Sequence, residues 1–307
     1  MYPTVIIEHG LYPQHLGPAF IDVYRDVRTE RVVAKKAKQK LKDATLKLAI
    51  NGLTGNLQSE FSWCYDPKMA ITLRLNCQLM MIMLLEELVL FGCKICQTNT
   101  DGILYIIEES RIPELQKIFD NWSTITKIGL ETEYFERFYQ FAINDYVGVQ
   151  KGYSETKEPS LIKKKGLFID KVSLGRGMAP TIIPKAINAK LVSGVPPEET
   201  VYNETDINQF LTYQKVSKDY EVEYGGQLIR HINRYYMSTN GARLQKCKIN
   251  KQNGLRSNYI SMCSSAVTLL NEFDDKPISE RKINYAYYLT EIYKILNVLE
   301  TKQLSLF

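Results

Sequence analysis

Lys94-Ile-Cys-Gln-Thr-Asn-Thr-Asp-Gly-Ile-Leu-Tyr-Ile-Ile107 is the stretch that decides how this chain is read. Apolar residues run on both sides of Asn99-Thr100-Asp101-Gly102, whose turn chemistry suits the tip of a two-stranded hairpin. One carboxylate, Asp101, then stands at the tip. A carboxylate on a rigid hairpin can carry a divalent metal, so the segment is a candidate half of a phosphoryl-transfer site. By itself an Asp-Gly in a hairpin is only a turn, and the segments around it carry the reading further.

The chain has 307 residues, 45% hydrophobic and 24% charged, enough for a sizeable core and two or three subdomains. Twenty Tyr stand against two Trp. Tyrosine suits surfaces that are part apolar and part hydrogen-bonding, including those that hold nucleotides. The net charge of +5 conceals three basic blocks. Arg25–Lys47 holds nine Lys/Arg and three acids, Lys151–Lys190 again nine and three, and Arg230–Arg256 seven and none. On an otherwise acidic chain, such blocks suggest a polyanion held along a surface.

The six cysteines are Cys64, Cys77, Cys93, Cys96, Cys247 and Cys263. Cys93 and Cys96 have C-x-x-C spacing but no second pair, and none of the three histidines is near, so the pattern argues against zinc. Reduced core thiols in a cytoplasmic setting are the expectation. The apolar run at Leu79–Leu85 is short and stops at Glu86-Glu87, so no membrane partner is expected.

Residues 22–55 read as a helical hairpin or a pair of helices, with Arg31, Lys35, Lys38 and Lys42 spaced to share one face and with Gly52 and Gly55 ending the second helix. Ala70–Phe91 reads as a long apolar helix and Ile112–Ile118 as a short one. Gly129–Val149 and Ser160–Asp170 read as strands, and Pro180–Val195 as a helix. A mixed basic segment follows, then a Tyr-rich helix from Ile283. Arg31 and Lys35 on one helix, with Lys47 and Asn51 on the next, are groups able to clamp a triphosphate.

Taken in order, Met1-Tyr2-Pro3-Thr4, Lys47-Leu-Ala-Ile-Asn51-Gly-Leu-Thr-Gly55, Thr98-Asn-Thr-Asp101-Gly102, Asn144-Asp-Tyr146 and Lys165-Gly166 form a series that resembles a family B DNA polymerase of the kind phages encode. The opening resembles the end of motif A (D-x-x-S-L-Y-P). The Lys47 segment resembles motif B (K-x-x-x-N-S-x-Y-G), with Gly52 for Ser and Thr54 for Tyr. The hairpin resembles motif C (Y-G-D-T-D-S), with Asn99 for its first Asp and Gly102 for its Ser. Asn144-Asp-Tyr146 resembles the primer-contacting K-K-R-Y without its lysines, and Lys165-Gly166 the K-G step after it.

The resemblance implies an α+β right-hand architecture: an antiparallel palm sheet, helical fingers and a mostly helical thumb. It implies a remnant of palm motif A over residues 1–12, fingers over 13–55, palm over 56–172, thumb over 173–297 and a clamp-binding tail over 298–307. It implies DNA-directed DNA polymerase chemistry, with the primer 3′-hydroxyl attacking the α-phosphate of a dNTP under two Mg²⁺ ions. Asp101 is then the catalytic and metal-binding carboxylate. Tyr2 lies under the sugar, Arg31, Lys35 and Lys47 hold the triphosphate, and Asn51 sits beside them. Tyr146, Lys165 and Gly166 touch the primer strand, and the thumb block, with Arg234 and Lys246, holds primer–template DNA. Glu131 and Glu133 are open alternatives near the site.

The family's other essential Asp would fall before Met1, so the two-metal site is expected to be incomplete in this chain. An upstream polypeptide carrying that Asp and the exonuclease domain is the implied partner if the enzyme is split. A misassigned start and a decayed remnant are the other readings, and a catalytically incomplete DNA- and clamp-binding fragment is the functional alternative. The ending Gln303-Leu304-Ser-Leu306-Phe307 resembles the bacterial sliding-clamp peptide Q-L-x-L-F, which docks its Leu and Phe in an apolar groove.

Overall fold

The computed structural model describes residues 1–171, 179–249, 256–272 and 274–303, without the side chains of 301–303, and the chain divides into two units, Met1–Thr132 and Glu133–Phe307. The fold is α+β, with helices and antiparallel sheets.

The first unit runs α1 (Tyr2–Glu8), α2 (Ala19–Lys36), α3 (Lys40–Asn56), α4 (Pro67–Leu90), β1 (Lys94–Thr98), β2 (Ile103–Ile106) and α5 (Ile112–Thr126). Its core is built on α4, whose Met69, Leu73, Cys77, Met80, Leu84 and Leu88 recur every three or four residues and are buried. Trp122 of α5 donates from Nε1 to the Met80 carbonyl at 2.7 Å, which ties α5 to α4. Tyr24 of α2 donates to the Ile50 carbonyl at 3.2 Å, which ties α2 to α3.

Asp66 starts α4. Its carboxylate accepts the Met69 N–H at 2.9 Å and, through its other oxygen, the Gln14 N–H at 3.0 Å. Burial pushes the Asp66 carboxyl upward, but the backbone N–H groups of Met69 and Gln14, with His15 nearby, outweigh it and hold the group below its ordinary value. A depressed folded value means the stabilisation is complete above the unfolded carboxylate range and disappears as pH falls through the folded value. Asp66→Ala is therefore expected to cost about 1 kcal/mol at neutral pH in a urea melt, and progressively less in acid.

Three expectations for this unit need correction. Arg31, Lys35, Lys38 and Lys42 do not share a helix face, because α2 ends at Lys36 and Lys38 turns the chain with φ 55°. Gly52 and Gly55 do not end α3: both are helical, and Leu57, fully buried, closes the last turn. The helix at Ile112 runs on to Thr126, because Leu115, Phe119, Trp122 and Thr126 all face the core.

The hairpin forms as expected. β1 and β2 pair antiparallel, with Lys94 opposite Ile106 and Thr98 opposite Ile103, and a bulge falls between Ile95 and Gln97 at the exposed Cys96. The exposure of Cys96 corrects the expectation that every thiol is a core group, whereas Cys64, Cys77, Cys93 and Cys247 are buried.

The second unit runs β3 (Phe135–Ala142), β4 (Asp145–Gln150), α6 (Tyr153–Thr156), β5 (Ile162–Lys165), α7 (Ile182–Ser193) and α8 (Pro197–Tyr202). It continues with β6 (Thr212–Lys215), β7 (Tyr220–Tyr224), β8 (Gln227–Ile229), β9 (Ile232–Ala242), β10 (Leu244–Lys248), β11 (Ile260–Ser261), β12 (Val267–Leu269) and α9 (Tyr285–Gln303). The sheets have strand orders β3-β4-β5, β11-β10-β7-β8 and β12-β9-β6. Tyr288 of α9 is fully buried and joins the layers: its hydroxyl donates to the Phe210 carbonyl at 2.8 Å and accepts the Met237 N–H at 2.9 Å.

The expectation of a mostly helical 173–297 is wrong. Among the described residues that region has seven strands between α8 and α9. Tyr220-Glu-Val-Glu-Tyr224 buries only Val222, and Leu244-Gln-Lys-Cys-Lys248 buries Leu244 and Cys247, three residues apart, so charged and tyrosyl neighbours conceal the strand pattern. Among the described residues no helix is long and apolar enough to cross a membrane.

Candidate active site

In the first unit an open pocket of about 300 Å³ is lined by Met1, Tyr2, Pro3, Ile50, Asn51, Thr54, Thr100 and Asp101. Three separate segments meet there: the first turn of α1, the last turns of α3 and the hairpin tip. Its volume is at the lower end of the range for small-molecule sites.

Each wall has a local cause. Pro3 sits in the first turn of α1, where a missing N–H costs nothing, and Val5 and Ile6 pin that helix in the core. Asn51 and Thr54 lie one turn apart on α3, and the Thr54 hydroxyl donates to the Asn51 carbonyl at 3.0 Å. Ile50 beside them is buried and held by Tyr24. At the tip, the Asn99 N–H donates to the Gly102 carbonyl at 2.9 Å, and the Asp101 N–H donates to Asn99 Oδ1 at 3.0 Å. Asn99 thus spends its side-chain oxygen on the turn. The Asp101 carboxylate is left exposed at the pocket wall.

Of the residues singled out for a nucleotide, the pocket brings together Tyr2, Asn51 and Asp101. Arg31, Lys35 and Lys47 are not among its lining. Arg31 instead donates from Nε to Asp43 at 3.1 Å, and Lys42 pairs with Glu30 at 2.6 Å, so both stitch α2 to α3. Lys35 and Lys47 are exposed, Lys47 one turn before Asn51. A Cβ built on Gly52 or Gly55 meets nothing, so the side of α3 next to Asn51 is open. Glu131 is exposed and outside the lining, and Glu133 pairs with Lys163 in the second unit.

Ile50, Thr54 and Thr100 join the pocket without having been singled out for it. Helical spacing from Asn51 finds Thr54, and sequence adjacency finds Thr100. A second hollow of about 210 Å³ lies between Gln78, Met81, Ile82 and Leu85 of α4 and Thr98, Asn99, Thr100 and Ile103 of the hairpin, so Thr100 borders both.

The donor set tests the expected magnesium. The lining offers one carboxylate, Asp101, with amide, hydroxyl and carbonyl oxygens, and among the described residues no group of three or more His, Cys, Asp or Glu gathers around a metal position. Hard oxygen donors with one carboxylate suit one Mg²⁺ that completes its shell with water and substrate phosphate. They do not fit a two-ion site.

In the second unit Tyr146 of β4 and Lys165 of β5 are directly paired, with Lys165 Nζ 5.7 Å from the Tyr146 ring centroid. Gly166 follows with φ +61°, and a Cβ there would lie 2.4 Å from the Asn144 carbonyl oxygen and on top of the Asp145 carboxylate. That carboxylate accepts the Leu167 N–H at 2.8 Å. Beside it Lys164 pairs with Asp170 at 2.5 Å, and Asn188 donates to the same Asp170 oxygen at 3.1 Å. Arg234 is exposed on β9, whereas Lys246 is on β10 with Nζ 4.9 Å from the Tyr220 ring, so the two are on different sheets. Arg256, at the end of the basic block, pairs with Glu221 at 2.8 Å. Gln303 ends α9, and Leu304, Leu306 and Phe307 lie outside the described residues.

No protein-family model matches the chain, and no curated protein matches it. Among solved structures, the family B DNA polymerase from the hyperthermophilic archaeon Pyrobaculum calidifontis is similar over 97% of this chain, at 13% sequence identity and a TM-score of 0.49. This chain spans 43% of the length of that polymerase, and a likeness at that level assigns no residue a role.

Proposed function

We propose that this chain is the nucleotide-joining part of a phage-like family B DNA polymerase, adding dNTPs to a primer 3′ end on a DNA template. The observation that carries the reading is the pocket. Tyr2, Asn51 and Asp101 belong to three separate polymerase-like motifs, and they line one pocket.

In this reading the Tyr2 ring supports the sugar and disfavours a 2′-hydroxyl. Asn51 hydrogen-bonds the nucleotide from α3, and Lys47 and Lys35, both exposed outside the pocket lining, reach toward the triphosphate. Asp101 would hold a Mg²⁺, which when bound offsets charge on the phosphate oxygens. Arg31 joins the triphosphate only by leaving Asp43. Tyr146 and Lys165 meet the primer strand, while Arg234 and Lys246 meet phosphates from two separate sheets. The tail at Gln303–Phe307 docks a sliding clamp, and the protein works in the cytoplasm of a bacterial host.

The single carboxylate in the pocket supports a second reading: a DNA- and clamp-binding subunit of a split polymerase, completed by an upstream polypeptide that brings the other Asp. Binding of a fluorescent dNTP tests the pocket in either case. Tyr2→Ala and Asn51→Ala are each expected to weaken it about tenfold. Unchanged affinity in both variants overturns the assignment of the pocket.

A further inference from the structure

α4 is apolar on both of its sides. The buried stripe from Met69 to Leu88 holds the core of the first unit. The opposite side carries Ile71, Leu75, Leu79, Ile82 and Met83, which are 58%, 52%, 60%, 47% and 39% exposed. A helix that is apolar all round is normally covered all round. Here one side faces water as a continuous apolar strip, which is the mark of a docking surface.

The order of residues along the strip says what fits it. Lys68, Ile71, Leu75, Leu79, Met83 and Glu86 follow at steps of three, four, four, four and three residues, a spacing that puts them on one side of the helix. The series reads the same from either end. About Cys77, Leu75 mirrors Leu79, Ile71 mirrors Met83, and Lys68 mirrors Glu86. Both of those charges are exposed.

We propose that this side of α4 is the two-fold interface of a homodimer, with the two copies of α4 antiparallel. A two-fold axis at the level of Cys77 sets Leu75 against Leu79 of the second copy and Ile71 against its Met83. The same operation sets Lys68 against Glu86 of the second copy, once at each end, as a closed two-fold contact requires. The row Ile71-Leu75-Leu79-Met83 is a ridge of the kind that interdigitates with a like ridge on another helix. A parallel pair would instead oppose Lys68 to Lys68 and Glu86 to Glu86. An unrelated polypeptide would cover the apolar residues equally well, but a second copy also uses the unlike charges at mirror positions. The inference goes beyond the polymerase reading, because it requires neither nucleotide nor DNA.

Sedimentation equilibrium of the full chain tests the pairing, and a species of twice the chain mass is expected at micromolar concentration. Leu79→Glu is expected to weaken dimerisation at least about a hundredfold, with an unchanged circular dichroism spectrum. Lys68→Glu and Glu86→Lys are each expected to weaken it about tenfold, because each sets like charges together at both ends. The two reversals combined in one chain restore the dimer. Mixing the two single variants gives a heterodimer tighter than either homodimer. A monomer at every concentration overturns the proposal and leaves the strip to a different polypeptide. A dimer indifferent to Leu79→Glu is held by another surface, and reversals that do not rescue one another overturn the antiparallel pairing. Lys68, Leu79 and Glu86 line neither the pocket at Asp101 nor the second hollow. Affinity for dNTP is therefore expected to be the same in all these variants, so this inference and the polymerase reading fail separately.

Discussion

On the proposed polymerase reading, Asp101→Asn is expected to lower primer extension by at least about a thousandfold, while primer–template binding stays within about twofold. The size follows from charge. Asparagine keeps the shape of the side chain but cannot neutralise a divalent ion, and a loss of about 4 kcal/mol at the transition state is a factor of about a thousand. The change costs little in folding, because the hairpin uses the Asp101 N–H and the Asn99 side chain rather than the Asp101 carboxylate. A second readout needs no turnover: the Mg²⁺-dependent increment in dNTP affinity should vanish in the variant. Extension at the unsubstituted rate, or an unchanged Mg²⁺ increment, removes Asp101 from the reaction.

Gly166→Ala is expected to destabilise the protein by about 3 kcal/mol or more, read as a lower urea midpoint at unchanged slope. Two effects add. The residue holds φ +61°, where a side chain is strained, and a Cβ would press on the Asn144 backbone carbonyl in the β3–β4 turn and on the Asp145 carboxylate that accepts the Leu167 N–H. The Lys165-Gly166 pair, singled out as a unit for the primer, thus separates into two jobs. Lys165→Ala should leave stability within about 0.5 kcal/mol and weaken primer–template binding, with a shallower salt dependence. If Gly166→Ala melts like the parent, the tight approach at Asn144 is not a constraint on the fold.

What the sequence made legible was strongest where one physical signal dominated. The hairpin was readable because turn residues sit between two apolar runs, and α4 because its apolar run from Ala70 is long, although the helix begins a turn earlier, at Pro67 behind the Asp66 cap. The place of the break between α2 and α3 was not, because Lys38 adopts a left-handed turn that nothing in a lysine announces. That one residue dissolved the shared basic face and left Arg31 beside Asp43. The extent of α3 was misjudged for a related reason: a glycine normally marks a helix end, but buried Leu53 and Leu57 hold the last turn through Gly55. The strands after α8 were lost in a charged, tyrosine-rich composition, where β7 buries only Val222 and β10 buries Leu244 and Cys247 without a period of two. At the candidate site, Tyr2, Asn51 and Asp101 were legible as motif positions, whereas Ile50 and Thr100 join them only through the way the three segments converge.

Among the described residues the β1–β2 sheet has two strands, and its tip lies between two hollows. A sheet of that size has little cooperativity of its own, and what fixes it is the apolar side that Ile95, Ile103 and Tyr105 press onto the core. Asp101 therefore sits on a small cantilever: rigid at its root on α4, compliant at its end. Such a mount can tilt by small amounts without disturbing the helices beneath, so a ligand filling either hollow would set the angle at which the carboxylate is presented.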